Sequence, residues 1–402
     1  MSGVNVPETS AVATAPRFTH AAPAFRTFCG DDALSALPRE LARTGAGRVL
    51  VVTSPSMRRH PSFERVTASL GERLAGVFDG VREHSPVPTV RDAATTLREL
   101  GADAVVAVGG GSAVVTARAA SILLAEGRDV RELCTTRAED GRLASPRLNA
   151  PKLPNWVVPS TPTTAYARAG SAVRDPDTGD RLALFDPKTR AHGLFLDPVV
   201  AASAPAGVVR AAALNAFSMA VEGLQVASDD PLAEAALTQA LRMLARWLPR
   251  LADDDPAGGV RLRLMSAALL SGRGSEFTGG GLAQALSHAA GPRSAVPNGV
   301  VEALLLPHVV RFNADVTGPR LGLVAECLTP VTSGAAAAPE RVATGVAGLL
   351  DALGLPRRLR EAGLHRDALP HVVDHTLDDW FITRVPRPAD RAQLEEILRQ
   401  AY

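Results

Sequence analysis

The feature that most constrains the fold is a change of pattern along the chain, from alternating strand and helix signals to helical signals alone. In the first half, β-branched runs such as RVLVVT (48–53) and DAVVAVGGGS (103–112) alternate with helical segments such as VRDAATTLRELGA (90–102). Such alternation predicts a parallel sheet, because parallel strands need a long crossover connection that is usually a helix. The first half is therefore predicted to be an α/β domain.

The second half lacks strand-like runs. Its long segments are apolar at helical spacing, as in VVRAAALNAFSMAVEGL (208–224) and PLAEAALTQALRMLARWLPRL (231–251). The sequence thus predicts an α/β domain over 17–200 and an all-helical domain over 201–402, preceded by a disordered leader over 1–16. The charged, proline-bearing stretch from about 126 to 155 interrupts the alternation, and we expect a loop or hairpin insertion there.

Composition excludes several classes of partner. The formal net charge is only +1 and the charges are interspersed, so no field favours nucleic acid or an anionic membrane. No run approaches the roughly 18 apolar residues of a membrane span, and no signal-peptide pattern is seen. Cys29, Cys134 and Cys327 are far apart and odd in number, which indicates neither a disulfide framework nor a zinc site. We expect a cytoplasmic protein that acts on a small molecule or a peptide.

The glycine cluster Gly109, Gly110 and Gly111, followed by Ser112, lies between a β-branched run and a helical segment. Without Cβ atoms the backbone can approach a pyrophosphate, and the N-terminus of the next helix favours an anion. A dinucleotide is the ligand that this context predicts. The alternative is a purely structural turn, because glycines at strand–helix junctions also serve tight packing.

The order of motifs along the whole chain resembles that of iron-containing alcohol dehydrogenases. The segment EHSPVPTVRDAATTLRELGADAVVAVGGGS (83–112) is similar to the maleylacetate reductase branch. The further motifs are STPTT (160–164), FLDP (195–198), LNAFSMAVEGL (214–224), LAQALSHAAG (282–291), VPNGVVEALLLPHVVRFN (296–313) and VPRP (385–388). The resemblance implies a dinucleotide-binding α/β domain followed by a helical domain, as in dehydroquinate synthase. It also implies NAD(P)-linked interconversion of alcohols and carbonyls, and a homodimer or larger assembly.

The same resemblance implies which residues contact the cofactor. The glycine turn and Thr163 and Thr164 correspond to segments that contact its phosphates and ribose. Many relatives carry an acidic residue after the first strand to bind the adenosine ribose, whereas this chain has Ser54, followed by Arg58 and Arg59. Because no acidic side chain excludes a 2′-phosphate there, NAD and NADP both stay open as the cofactor.

Metal-dependent members of the family use one aspartate and three histidines. The first two lie as D-x-x-x-H on one helix, where this chain has Asn215 and Met219. The others come from an H-x-x-x-H segment and a P-H-G turn, where this chain has Gln284 and Asn298. Amides and a thioether lack the charge and the imidazoles that offset dehydration of Fe²⁺ or Zn²⁺. We therefore expect no metal, although the maleylacetate reductase branch keeps histidines that are absent here.

Catalysis without a metal needs a cationic or proton-bearing group. His288 matches the non-ligand histidine of the H-x-x-x-H segment, and its ordinary pKa suits proton exchange, although an apolar helix also often holds a purely structural histidine. Arg181 follows a predicted glycine hairpin and can clamp a carboxylate or oxyanion, or be a solvated charge. Tyr166 and Arg168, which replace a glycine turn of the family, are weaker candidates.

Two activities follow from these residues. The first is a metal-independent NAD(P)-dependent oxidoreductase that interconverts an alcohol and a carbonyl, either on a carboxylated compound or as a tailoring step on a peptide or other natural product. The second is a maleylacetate-type reductase of aromatic catabolism. A non-catalytic partner protein that kept the fold is a further alternative, with a lyase related to dehydroquinate synthase as a more distant one.

Overall fold

The alternating first half folds into a parallel sheet, as predicted. The structure is a computed structural model and describes residues 17–138, 142–252, 255, 257–328 and 336–402. The predicted leader over 1–16 lies outside the described residues. The strands are Arg26–Cys29 (β1), Val49–Thr53 (β2), Leu74–Phe78 (β3), Ala104–Gly109 (β4), Thr136–Arg137 (β5), Leu143–Ala144 (β6), Asn155–Pro159 (β7), Gly170–Arg174 (β8), Arg181–Phe185 (β9) and Gly193–Leu196 (β10).

Six of these strands form one sheet in the order β1-β10-β7-β4-β2-β3, and all neighbours run parallel. The residues of β2, β4, β7 and β10 are fully buried, as expected for a parallel sheet covered on both faces. Because the strands are parallel, their carboxyl ends share one edge, where Thr53 is paired with Val108 and Gly109 with Pro159. Ligands of open α/β sheets bind beyond this edge.

The helices pack around the sheet in the first half and against one another in the second. Those of the first half are Leu37–Arg43 (α1), Pro55–Arg59 (α2), Phe63–Leu70 (α3), Val87–Glu99 (α4), Gly111–Glu126 (α5) and Pro198–Ala201 (α6). Those of the second half are Ala206–Gln225 (α7), Pro231–Trp247 (α8), Gly259–Thr278 (α9), Leu282–Ala290 (α10), Asn298–Leu328 (α11), Ala338–Ala352 (α12), Leu369–Asp378 (α13) and Arg391–Ala401 (α14). The α/β part followed by a helical part is the predicted fold class.

The hydrophobic core is divided by the sheet. Val49, Val51 and Phe195 on one face pack with helices of the first half only. Leu50 and Val157 on the other face belong to a core that continues through the helical half to the end of the chain. The two halves therefore share one apolar core. They pack directly against each other beside the cleft that separates them.

The stretch from 126 to 155 contains the short antiparallel hairpin β5–β6, which confirms the predicted insertion. The segment that leads from this hairpin to β7 contains the buried Lys152. Its Nζ lies 2.6 Å from Glu126 Oε1 and 3.0 Å from Asp186 Oδ2. A buried ammonium needs such paired carboxylates to offset its desolvation. Within the described ranges, no helix is both long and apolar enough to cross a membrane.

Candidate functional site

The predicted glycine turn lies at the carboxyl end of β4, directly before α5. Gly109 has a φ of +132°, a conformation that other residues rarely adopt. A Cβ on Gly110 would lie 3.2 Å from Thr161 Oγ1, and one on Gly111 would lie 2.9 Å from Thr163 Oγ1. The bare backbone and the N-terminus of a 16-residue helix fit a dinucleotide, whose pyrophosphate the turn and Thr163 would hold.

The other two predicted cofactor contacts already bond within the protein. Ser54 follows β2 and caps α2, where its Oγ accepts from the Met57 amide at 3.3 Å. Thr164 is buried, and its hydroxyl donates to Met219 Sδ at 3.4 Å. Ser54 thus lies at the sheet edge while Thr164 faces the helical half, and the role of both in cofactor binding stays a prediction.

A loop between β3 and α4 joins the glycine turn to the cleft. His84 and Ser85 there have φ values of 61° and 48°, which are strained for residues other than glycine. Ser85 Oγ donates to the Ser112 carbonyl at 3.1 Å and accepts from Thr116 Oγ1 at 3.1 Å. The sequence analysis did not predict this contact, because neither residue carries the glycine or asparagine signal of left-handed backbone.

A cavity of about 560 Å³ lies between the two halves of the chain, a size typical of small-molecule sites. The α/β half contributes His84 and the β8–β9 hairpin with Arg181, while the helical half contributes His288, Asn298 and Asp379. Both predicted catalytic residues, His288 and Arg181, therefore line the same cavity. Sequence spacing does not bring them together, since they are more than 100 positions apart along the chain.

His288 lies in the last turn of α10, with its Nδ1 2.7 Å from Asp379 Oδ2. Asp379 is held in turn, because its Oδ1 accepts from the Phe381 amide at 2.8 Å. A carboxylate on one imidazole nitrogen orients the ring and leaves the other nitrogen to exchange a proton. Nothing in the local sequence indicates that Asp379, which lies 91 positions further along the chain, pairs with His288.

The charges around His288 act in opposite directions. Burial, and to a smaller extent the positive charge of Arg181, lower the pKa of His288, while Asp379 opposes them. Burial raises the pKa of Asp379, yet His288 and Arg181 together bring it below its ordinary value. The pair is thus an ionised carboxylate beside an imidazole that is mostly neutral near pH 7.

Arg181 is the first residue of β9, and its guanidinium lies 5.0 Å from the centre of the Trp380 ring. This contact orients the side chain by a cation–π interaction. Among the described residues, no carboxylate lies within ion-pair distance of Arg181, and Asp379 is the acidic group whose charge acts on it most. Arg181 therefore presents a largely unpaired positive charge beside His288.

The places that hold the metal in relatives carry a different hydrogen-bond network. Asn215 Nδ2 donates to Glu302 Oε2 at 2.7 Å, and the Gln284 side chain lies beside Glu302. Asn298 lies one helical turn before Glu302 on α11 and lines the cavity. Three of the four substituted residues therefore surround or adjoin one glutamate. The sequence does carry a signal for Glu302, an acidic residue inside the apolar segment VVEALLLPH, but its role was not predicted.

Glu302 is completely buried and its Oε1 has no hydrogen-bond partner. Burial and the nearby Glu222 raise the pKa of Glu302 well above its ordinary value, which favours the neutral form of this carboxyl. Burial also raises the pKa of Glu222 to about 7, although the amides of Ala283 and Gln284, to which it bonds at 2.7 and 3.2 Å, oppose the rise. The cluster contains proton-bearing carboxyls in place of an anionic ligand set.

These residues do not fit an iron or zinc ion. Within the part of the chain that the structure describes, no group of three or more His, Cys, Asp or Glu side chains lies close enough to bind one. Arg168 Nη1 lies 4.0 Å from Met219 Sδ, so a guanidinium already occupies the surroundings of one ligand place. Amide oxygens and a neutral carboxyl next to fixed positive charge do not offset dehydration of a divalent cation.

Comparison with known proteins agrees with the fold described above. The family profile "Iron-containing alcohol dehydrogenase" matches residues 23–198, and "Fe-containing alcohol dehydrogenase family, C-terminal" matches residues 210–402. Maleylacetate reductase 2 of Cupriavidus pinatubonensis is 30% identical over 378 residues, which are 94% of each chain. Lactaldehyde reductase of Escherichia coli is 28% identical over 378 residues, which are 93% of this chain and 97% of the relative.

Solved structures give the same result for the fold. The iron-containing alcohol dehydrogenase of Thermococcus thioreducens matches with a TM-score of 0.82 at 26% identity, over 94% of this chain and 98% of that chain. The likeness spans both the sheet and the helical half. The substituted ligand places therefore lie within an otherwise complete scaffold.

Proposed function

The chain belongs to the iron-containing alcohol dehydrogenase family, and on that premise we propose that it is an NAD(P)-dependent oxidoreductase that works without a metal ion. Its reaction interconverts an alcohol and a carbonyl compound that carries a carboxylate. The observation that supports this most is the His288–Asp379 pair beside the unpaired Arg181 in the cavity between the two halves. It offers proton exchange and a positive charge at one place.

The glycine turn and Thr163 would hold the cofactor, which supplies or accepts the hydride when bound. His288 exchanges the proton of the substrate hydroxyl through the imidazole nitrogen that Asp379 leaves free. Because Asp379 stabilises the imidazolium, the proton can be taken up and returned without separating charge in the buried site. The unpaired Arg181 binds the substrate carboxylate and orients it in the cavity.

A maleylacetate-type reductase is the second candidate. Two maleylacetate reductases of Cupriavidus pinatubonensis are 28% and 30% identical to this chain over more than nine tenths of its length. Maleylacetate is a carbonyl compound with two carboxylates, so it suits a cavity lined by Arg181 and by the exposed Arg174. It is therefore the first substrate to try.

The test begins with purified protein and separate fluorescence titrations with NADH and NADPH. We expect tight binding of at least one of them, with iron and zinc far below one equivalent by elemental analysis. Maleylacetate and a panel of oxo acids are then reduced before and after dialysis against EDTA, and the rates should agree. A metal at one equivalent, or activity lost to EDTA and restored by Zn²⁺ or Fe²⁺, would contradict the metal-free mechanism. Binding of neither cofactor favours a non-catalytic partner protein.

A further inference from the structure

The loop that replaces the family's glycine turn is firmly held. Its 3₁₀ turn, Thr164–Ala167, is anchored by Tyr166, whose hydroxyl donates to the Met265 carbonyl of α9 at 2.6 Å. Gly272 of α9 lies so close that a Cβ there would be 2.8 Å from Ala167 Cβ. The residue that ends this turn, Arg168, therefore leaves the backbone from a fixed position.

A second arginine fixes the same loop from the other side. Arg118 lies in α5, the helix that starts at the glycine turn, and it is almost completely buried. Its guanidinium donates to the Ala165 carbonyl at 3.1 Å and to the carbonyl of Arg168. Burial lowers the pKa of Arg118 only to about 10, so it stays charged at neutral pH. The helix beneath the cofactor turn thus directly positions Arg168.

The guanidinium of Arg168 is short of partners. Its Nη2 donates to the Ser275 carbonyl at 3.2 Å, and its Nη1 makes only the long contact to Met219 Sδ at 4.0 Å. Among the described residues, no carboxylate lies within ion-pair distance of it, and Glu276, the acidic group whose charge acts on it, is bound to Arg190. Arg168 therefore keeps donors for an anion, at a partly accessible position.

Arg168 contacts one of the four places that hold the metal in relatives. Met219 occupies the second ligand place, one helical turn from Asn215, which bonds to Glu302. Asn298, one turn before Glu302, occupies the fourth place and lines the cavity together with His288. The four places converge in relatives on one ion, and here a fixed guanidinium touches one of them.

We propose that Arg168 is a catalytic residue that binds the substrate's carbonyl oxygen and supplies there the positive charge that a metal ion supplies in relatives. The inference rests on the proposed function. In reduction, NAD(P)H, when bound, would supply the hydride that forms the new C–H bond, and the electron pair of the C=O π bond would move to oxygen. Arg168 stabilises the resulting alkoxide, which takes a proton from the imidazolium form of His288 that Asp379 stabilises. Oxidation is the reverse.

A guanidinium suits this task for two reasons. It offers two N–H groups in a plane, so it can hold one oxygen with defined orientation, and it stays charged through the working pH range. Its donors are also fixed before the substrate binds, so little reorganisation opposes the reaction. Arg181 keeps a separate role on the carboxylate, because its ring contact with Trp380 places it on the hairpin side of the cavity.

The test compares Arg168→Gln and Arg168→Lys with the control Arg384→Gln. Arg384 is exposed, lies near Arg168 and contacts Gly279, but it does not touch a ligand place. We expect Arg168→Gln to lower kcat by about 10²–10³-fold while the NAD(P)H Kd stays within about twofold. Added guanidinium should restore part of the rate, Arg168→Lys should fall between, and Arg384→Gln should stay within about threefold of wild type. Unchanged cofactor affinity verifies folding of each variant.

The outcomes separate this inference from the proposed function. If the wild type reduces a carbonyl compound and Arg168→Gln keeps kcat within about threefold, Arg168 has no such role and only the inference fails. If the wild type reduces nothing, the proposed function fails. Calorimetric binding of oxamate to the NADH complex then tests whether Arg168 forms part of an anion-binding site. Weakening of at least about tenfold in Arg168→Gln, but not in Arg384→Gln, then supports the anion site. Equal binding by both variants, or none by the wild type, overturns it.

Discussion

The two sides of the cleft differ in how much of the family's chemistry they retain. On the α/β side, the glycine turn keeps a left-handed Gly109 and close packing of Gly111 on Thr163, which is the geometry that an anion-binding turn needs. On the helical side, the ligand places hold Asn215 and Gln284 around a buried Glu302. A scaffold can therefore keep its cofactor side while the side that activates the substrate changes.

The difference has a physical origin. A glycine turn of this kind binds an anion through backbone N–H groups, so it depends on glycine and on helix position and tolerates change elsewhere. A metal site depends on four side chains at once, and loss of their charge leaves a pocket that must satisfy itself by other means. Here Asn215, Gln284 and a neutral Glu302 fill it.

The largest expected effect lies on the rebuilt side. Replacing His288 by Gln removes the proton-exchanging group, and we expect kcat to fall by about 10²–10⁴-fold with the cofactor Kd unchanged. Steady-state kinetics and a fluorescence titration measure both. A fall in kcat of less than about tenfold would mean that the proton passes through another group. The helical side of the cleft would then not supply the proton-exchanging residue.

Asp379→Asn tests the partner of His288 through pH. Asp379 raises the His288 pKa against burial, so its loss should lower the apparent pKa for ionisation of this histidine. The limb of the kcat/KM profile that reports His288 should then move to lower pH, with kcat reduced less than in His288→Gln. If this limb of the profile does not move, it reports the ionisation of a group other than His288.

A substitution in the glycine turn of the α/β side should weaken cofactor binding more than it lowers kcat. In Gly111→Val the new side chain meets Thr163 Oγ1, which a Cβ alone would approach to 2.9 Å. We expect NAD(P)H affinity to fall by about 10²-fold, because the pyrophosphate loses close access to the backbone. Gly207→Ala is the matched control, since a Cβ there meets nothing within 4 Å. Equal affinities for the two variants would show that the turn is only structural.

A smaller effect should appear in the stability of the buried cluster. Burial holds the folded-state pKa of Glu302 far above 4.5, so the wild type loses stability as pH rises above 4.5, where the unfolded chain releases this proton. Glu302→Gln lacks this loss and should be more stable at pH 8 than wild type, by about 1–3 kcal/mol. Urea unfolding at pH 5 and pH 8 measures the gap, which should widen with pH. A gap that narrows would indicate an ionised Glu302.

The smallest effect concerns the anchor of the Arg168 loop. Tyr166→Phe removes the hydrogen bond from the buried hydroxyl to the Met265 carbonyl, which lies inside α9 and keeps its main-chain helical bond. We expect a loss of about 1 kcal/mol in unfolding free energy with little change in KM for either substrate. If kcat falls far more than stability, the hydroxyl itself takes part in the reaction and does more than anchor the loop.

The fold could be predicted from sequence because it follows from local patterns. Short stretches of sequence are enough to recognise the β-branched runs, the glycine turn and the helical periodicity after residue 200. The sheet and the helical half follow from these patterns. The substitutions at Asn215, Met219, Gln284 and Asn298 were equally legible, because the family's ligands occupy known motifs. Both kinds of information lie along the chain.

The composition of the site depends on contacts across long separations. Asp379 meets His288 over 91 positions, and Asn215 meets Glu302 over 87. No local propensity encodes such contacts, since they depend on how α7, α10 and α11 pack. The sequence by itself determined the scaffold, the glycine turn and the loss of metal donors. Only the tertiary structure decided that Asn215 bonds to Glu302, that Asp379 pairs with His288, and that Arg168 contacts Met219, because side chains acquire these neighbours only when the helices pack.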